Sequence, residues 1–121
     1  MPDFETKDSG VRWSYPTGMV RDTQDGKPRF DLLIPKGIPY DEQMITRFAA
    51  LLARGAVKYG DRNWEKATTQ EELDRFHASA FRHFMQWLAG ETDEDHAAAV
   101  TYNVWAAEKV KYEMRNLAET V

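Results

Sequence analysis

A chain of 121 residues with 42% hydrophobic residues has the length of one domain and enough apolar side chain to form a core. It carries 16 basic and 20 acidic residues, a formal charge of -4, which argues against nucleic acid as the main partner because phosphate binding needs a basic face. It has no cysteine, which excludes disulfides, thiolate catalysis and zinc–thiolate sites. No apolar run reaches bilayer length, and the opening MPDFETKDSG lacks the apolar core of a signal peptide, so a soluble cytoplasmic protein with no membrane partner is expected.

Residues 1–40 show no helical period. Turn residues punctuate them, among them Gly10, Pro16, Gly18, Gly26, Pro28, Pro35, Gly37 and Pro39. They read as an extended arm with a short strand near 30–34. Within this arm, Lys27 and Arg29 project from a turn and suit phosphate contacts, although the segment lacks the spacing of a P-loop.

From 41 to 121 the pattern is helical. The first helix is expected over 41–59, capped by Asp41 and stopped by Gly60, with Ile45, Phe48, Leu52 and Ala56 on its buried face. The second is expected over 69–89. Thr68 with Glu71, or Thr69 with Glu72, forms a capping box, and Gly90 ends the helix. Its apolar positions include Leu73, Phe76, Ala80, Phe84, Trp87 and Leu88. The third is expected over 93–117 with Thr92 as its cap. Ala97, Ala98, Ala99, Val100, Val104, Trp105, Ala106, Ala107 and Val110 place apolar side chains on more than one side of it. Such a helix is buried between layers. Two other helices can hardly cover it, so either a homo-oligomer completes the bundle or the N-terminal arm covers the second face.

Between the second and third helices, four carboxylates and an imidazole occupy six positions: Glu91, Asp93, Glu94, Asp95 and His96. Like charges this close repel unless a cation holds them. The segment reads either as a hard-metal site or as a solvated acidic helix start in which the carboxylates favour the dipole. A tight turn at Gly90 makes the two helices antiparallel, which lets His83, Glu91 and His96 converge. Asn103 shares a helix face with His96, seven residues away.

Two further groups stand out. Lys58-Tyr59-Gly60-Asp61-Arg62-Asn63-Trp64 offers Lys58 for phosphate and Asn63 and Trp64 for a base. The same residues read equally as a helix C-cap with aromatics packed over the bundle end. Arg82, beside His83, is a further phosphate contact or a surface ion pair of little consequence. No GxSxG elbow, HExxH helix or His-Asp dipeptide is present.

Four segments, GKPRFDLLIP, RGAVKYGDRNWEK, SAFRHFMQWLAGE and EDHAAAVTYN, resemble the phage dATP/dGTP diphosphohydrolase family, in the family's order from about Lys27 to Asn103. That family resembles a compact form of the all-α, MazG-like nucleoside triphosphate pyrophosphohydrolases. The resemblance implies a MazG-like helical bundle completed as a homodimer or homotetramer. It also implies a purine (deoxy)nucleoside triphosphate substrate split to monophosphate and pyrophosphate, and two or more Mg²⁺ or Mn²⁺ ions. MazG-like enzymes hold magnesium with EExxE followed by ExxD. This chain departs from that pattern: the ExxD positions fall on Asp93 and His96, and His83 is the best substitute for the missing EExxE. The resulting expectation places Glu91 and His96 in catalysis and His83, Glu91, Asp93, Glu94, Asp95 and His96 around metal. Lys27, Arg29, Lys58, Asn63, Trp64, Arg82 and Asn103 are expected on substrate. The rival is a non-catalytic helical oligomer, an adaptor or nucleotide sensor.

Overall fold

The computed structural model describes residues 3–119; the first two residues of the arm and the last two of the chain lie outside it. The chain divides into two units, one ending at Leu33 and the other beginning at Ile34.

The first unit is built on an antiparallel hairpin of β1 (Arg12–Ser14) and β2 (Val20–Asp22), with Trp13 opposite Arg21. Its tight connection is closed by Tyr15 N–H donating to the Met19 carbonyl at 2.9 Å and by Gly18, whose φ of 92° a side chain would oppose. Sequence patterning missed both strands, which are only three residues long and exposed. The strand expected at 30–34 is instead a 3-10 turn, Phe30–Leu33, with Leu32 N–H bonded to the Arg29 carbonyl. Pro28 and Pro35 bracket this segment, and no second strand among the described residues pairs with it.

The second unit holds α1 (Met44–Tyr59), α2 (Gln70–Leu88) and α3 (His96–Glu119). These make the protein all-α apart from the small hairpin. α2 and α3 form an antiparallel pair, and α1 packs on α3.

The helix ends explain the boundaries. α1 starts three residues later than expected, because Pro39 sets up a 3-10 turn, Tyr40–Glu42, and Gln43 rather than Asp41 precedes the helix. Gln43 is buried, and its amide donates to the carbonyls of Pro35 and Ile38, pinning the entry segment to the helix. At α2 the capping box forms as the sequence indicates: Thr69 Oγ1 accepts from Glu72 N–H, and the Glu72 carboxylate accepts from Thr69 N–H. Of the two capping pairs, only the one at Thr69 closes. α2 ends in a Schellman turn, with Glu91 N–H reaching the Gln86 carbonyl, Gly90 N–H reaching that of Trp87, and Gly90 at φ 79°. α3 begins at His96, not 93, since Asp95 rather than Thr92 caps it by accepting from Ala98 N–H at 3.1 Å.

The core lies where α2 meets α3. Leu73, Ala67, Ala107 and Val110 are buried there with Phe76 and Met114 packed against them. Nearer the start of α3, Ala98, Ala99 and Ala106 are buried, and the Phe48 ring packs at a tilt against Trp105 with centroids 5.2 Å apart. The alanines let the helices approach closely. Several expected core positions are exposed within one chain: Ile45, Phe84, Trp87 and Leu88, together with Val104 and Trp105 of α3. Only α1 and α2 pack on α3 within this unit, and Val104 and Trp105 stay exposed.

Leu73→Ala should lower unfolding stability by about 2–4 kcal/mol through loss of burial and a cavity. Thr69→Ala should cost about 1 kcal/mol through loss of the cap. Urea unfolding of the two variants measures both, and equal losses would contradict this placement of the core.

Candidate functional site

The Schellman turn folds the end of α2 back beside the start of α3. This sets His83, in the penultimate turn of α2, against His96, the first residue of α3. Both imidazoles are buried, and their Nδ1 atoms are 2.9 Å apart. His96 Nε2 lies 2.7 Å from Asp93 Oδ1, and His83 Nε2 lies 3.3 Å from an Arg82 guanidinium nitrogen.

These contacts fix the proton pattern. Arginine only donates, so His83 Nε2 accepts and its proton sits on Nδ1. That proton is donated to His96 Nδ1, which leaves the His96 proton on Nε2, donating to Asp93. Both rings are neutral in this assignment and every ring nitrogen has a partner. Burial, reinforced by the Arg82 charge, pushes His83 below the ordinary histidine value, which agrees with a neutral ring. The hydrogen bond from His96 holds the Asp93 carboxyl below the usual carboxylate range.

The pair opens onto a cleft of 1010 Å³ with walls of opposite charge. One wall is a face of α1: Arg47, Leu51, Arg54, Gly55 and Lys58, at helical spacing. The other carries His83, Glu91, Asp93, Glu94, Asp95, His96 and Asn103. One bridge joins the walls. Arg47 grips Asp95 through two hydrogen bonds of 2.8 and 2.7 Å, and this fork holds the Asp95 carboxyl below its ordinary value. The Asp95 carboxylate therefore caps α3 and faces Arg47 at the same time. Arg54 and Lys58 make no ion pair with any described residue, so this end of the basic wall is open to an anion.

His83, Glu94 and His96 place one ligand atom each within 4.8 Å of one another. Two neutral imidazoles and a carboxylate are a donor set that suits a divalent cation once the His83–Arg82 or His83–His96 hydrogen bonds give way to free the ring lone pairs, and Glu91 and Asp93 add exposed carboxylates on the same wall. The residues present thus fit a metal, with nitrogen and oxygen donors mixed.

The residues singled out in the sequence fall into distinct places. Lys58, His83, Glu91, Asp93, Glu94, Asp95, His96 and Asn103 meet in the one cleft. Asn103 is buried, and its amide donates to the Ala99 carbonyl at 2.7 Å. Arg82 stands behind His83 and also donates to Gln86, so it supports the imidazole and does not line the cleft. Asn63 and Trp64 line an adjoining cleft. Lys27 and Arg29 belong to the first unit, where they line a separate cleft of 830 Å³; Arg29 pairs with Asp31 at 2.7 Å, and Lys27 lies 3.8 Å from Asp22. Arg47, Arg54 and Tyr102 were not picked out from the sequence. The signal was a basic stripe at 47, 54 and 58, spaced by seven and four, flanking the apolar face of α1.

The matched family model, dATP/dGTP diphosphohydrolase, N-terminal, covers residues 17–119, which include every residue of this cleft. No curated protein and no solved structure matches the chain. A model spanning most of the chain, over a cleft that opposes basic and acidic walls, decides the assignment: the chain belongs to the dATP/dGTP diphosphohydrolase family.

Proposed function

We propose that the protein is a metal-dependent nucleoside triphosphate diphosphohydrolase that converts dGTP or GTP to the monophosphate and pyrophosphate. The observation that carries this reading is the cleft in which Arg54 and Lys58 of α1, without an ion pair among the described residues, face acids and imidazoles at the α2–α3 junction. A triphosphate is the ligand whose charge suits one wall directly and the other through divalent cations.

In this reading Arg54 and Lys58 hold the β- and γ-phosphates, and the turn at Gly60 carries Asn63 and Trp64 to the nucleoside. Asn103 positions the nucleotide from α3. His83, Glu94 and His96, with Glu91, Asp93 and Asp95, would hold two or more Mg²⁺ or Mn²⁺ ions. Such ions neutralise phosphate charge and make water a better nucleophile. Water oxygen bonds to the α-phosphorus, the bond from that phosphorus to the bridging oxygen breaks, and pyrophosphate leaves. Glu91, exposed on the acidic wall, accepts the water's proton. His96 is held in orientation by Asp93 on one side and His83 on the other. Lys27 and Arg29, on the first unit, are further phosphate contacts in this reading.

Guanine preference and a phage setting belong to the same proposal, in which the chain acts as MazZ does in phages that replace adenine with 2-aminoadenine, where dGTP cleavage feeds that pathway. A homodimer or homotetramer is supported by the exposed Trp87 and Leu88 of α2 and Val104 and Trp105 of α3. No helix among the described residues is long and apolar enough to cross a membrane.

Incubation with each dNTP and NTP should release pyrophosphate and dGMP from dGTP with Mn²⁺ or Mg²⁺, and nothing with chelator. Turnover by Glu91→Ala and His96→Ala should fall by about 100-fold or more while helicity by circular dichroism persists. Full activity in both variants would remove these residues from the site. Mn²⁺ alone should raise the melting temperature of the native chain and not that of His83→Ala or Glu94→Ala, because a ligand of the folded form stabilises it by mass action. An equal shift in all three would place the metal elsewhere. Sedimentation should give a dimer or larger species that Trp105→Glu dissociates; a native monomer would refute the oligomer.

A further inference from the structure

Alongside the acid–imidazole cleft lies a second one of 540 Å³, walled by the C-terminal half of α1, the loop after Gly60 and Tyr102 of α3. The two clefts share Leu51, Gly55, Tyr59 and Tyr102. One molecule can therefore lie in both, with its anionic end against Arg54 and Lys58 and a flat end in the second cleft. Tyr59, Trp64 and Tyr102 bring three aromatic rings to that second space. The Tyr102 ring is fixed edge-on against Phe76, with centroids 6.2 Å apart. Rings arranged in this way suit a planar heterocycle.

The polar groups of this cleft are unevenly satisfied. Arg62 adopts a left-handed conformation, φ 58° and ψ 24°, unusual for a residue with a side chain. Its guanidinium pairs with Glu65 at 2.6 Å, and the Glu65 carbonyl accepts from Lys109 of α3 at 2.6 Å. The loop is thus anchored with Arg62 committed to Glu65. Asp61, the residue before it, lines the cleft and makes no hydrogen bond or ion pair with any described residue.

A carboxylate presents two coplanar acceptors and no donor. Its best partner is an edge with two neighbouring donors. Guanine has such an edge in its ring N1–H and exocyclic amino group. Adenine sets a ring lone pair beside its amino group, cytosine has one amino donor next to acceptors, and thymine and uracil have one N–H between two carbonyls. We propose that the second cleft is the nucleobase site and that Asp61 reads the two donors of guanine, setting the purine choice of the enzyme. This deepens the nucleotide reading above and rests on it.

The test is calorimetric titration of the full chain, with Mn²⁺ present, by dGMP, dIMP and dAMP. The hypoxanthine of dIMP keeps N1–H and lacks the amino group. The native chain should bind dGMP about 10-fold or more tighter than dAMP, with dIMP between, since each good bidentate contact discriminates on that scale. Asp61→Asn and Asp61→Ala should bring dGMP to within about 3-fold of dAMP while dAMP binding holds, and the dGTP over dATP ratio of kcat/KM should fall by the same factor. Unchanged melting temperatures are expected, because Asp61 has no partner to lose. Retained guanine preference in both variants, or equal loss of dGMP and dAMP binding, would overturn the role of Asp61 while nucleotide turnover by the native chain leaves the wider reading standing. If the native chain neither binds these monophosphates nor cleaves any triphosphate, both readings fall together.

Discussion

The buried contact between His83 and His96 is the constraint on which the site depends. Two imidazoles in a low-dielectric setting are tolerable only when every ring nitrogen is partnered, and the Arg82–His83–His96–Asp93 chain meets that condition in one tautomeric pattern. The turn at Gly90 makes the contact by reversing the chain. The Asp95 cap makes α3 start at His96 and leaves Asp93 and Glu94 in the connection, free of the helix. A helix beginning at 93 would have committed those carboxylates to its first turn. The acidic segment is therefore a product of where two helices end.

The basic wall is organised around the same junction. Arg47 reaches across to Asp95, so α1 is docked through the residue that caps α3. Farther along the same face, Arg54 and Lys58 have no such partner among the described residues. The division is physical: one cation fixes the distance between the walls, and the others retain their charge for a ligand. Partly buried ion pairs contribute modestly to stability, but a two-bonded fork defines orientation.

Much of this was readable in the residues. The capping box at Thr69, the stops at Gly60 and Gly90, and the convergence of His83 with His96 follow from spacing and turn chemistry. So does the one-sided coverage of α3, in which Val104 and Trp105 stay exposed. The hairpin was not readable, because its strands are too short to show a period of two. The start of α3 was misplaced because Thr92 and Asp95 are both good caps, and only the docking of Arg47 favours Asp95. Arg54 escaped notice since a cation on an amphipathic helix gives no sign of which neighbour its side of the helix will face. Lys27 and Arg29 satisfied the chemistry of phosphate binding in sequence, yet both lie beside acids of their own unit.

α3 is one uninterrupted rod that carries His96 at its first residue, Tyr102 and Asn103 two turns on, and Lys109 beyond them, tied to the loop that bears Asp61. These groups cannot be adjusted separately. Sliding the rod by a single residue, roughly 1.5 Å, would part the imidazoles, shift the aromatic residues shared by the two clefts and drag the loop that carries Asp61 in the same stroke. Mechanical stiffness thereby becomes a form of synchrony, in which displacement at either end of the helix is registered at the other.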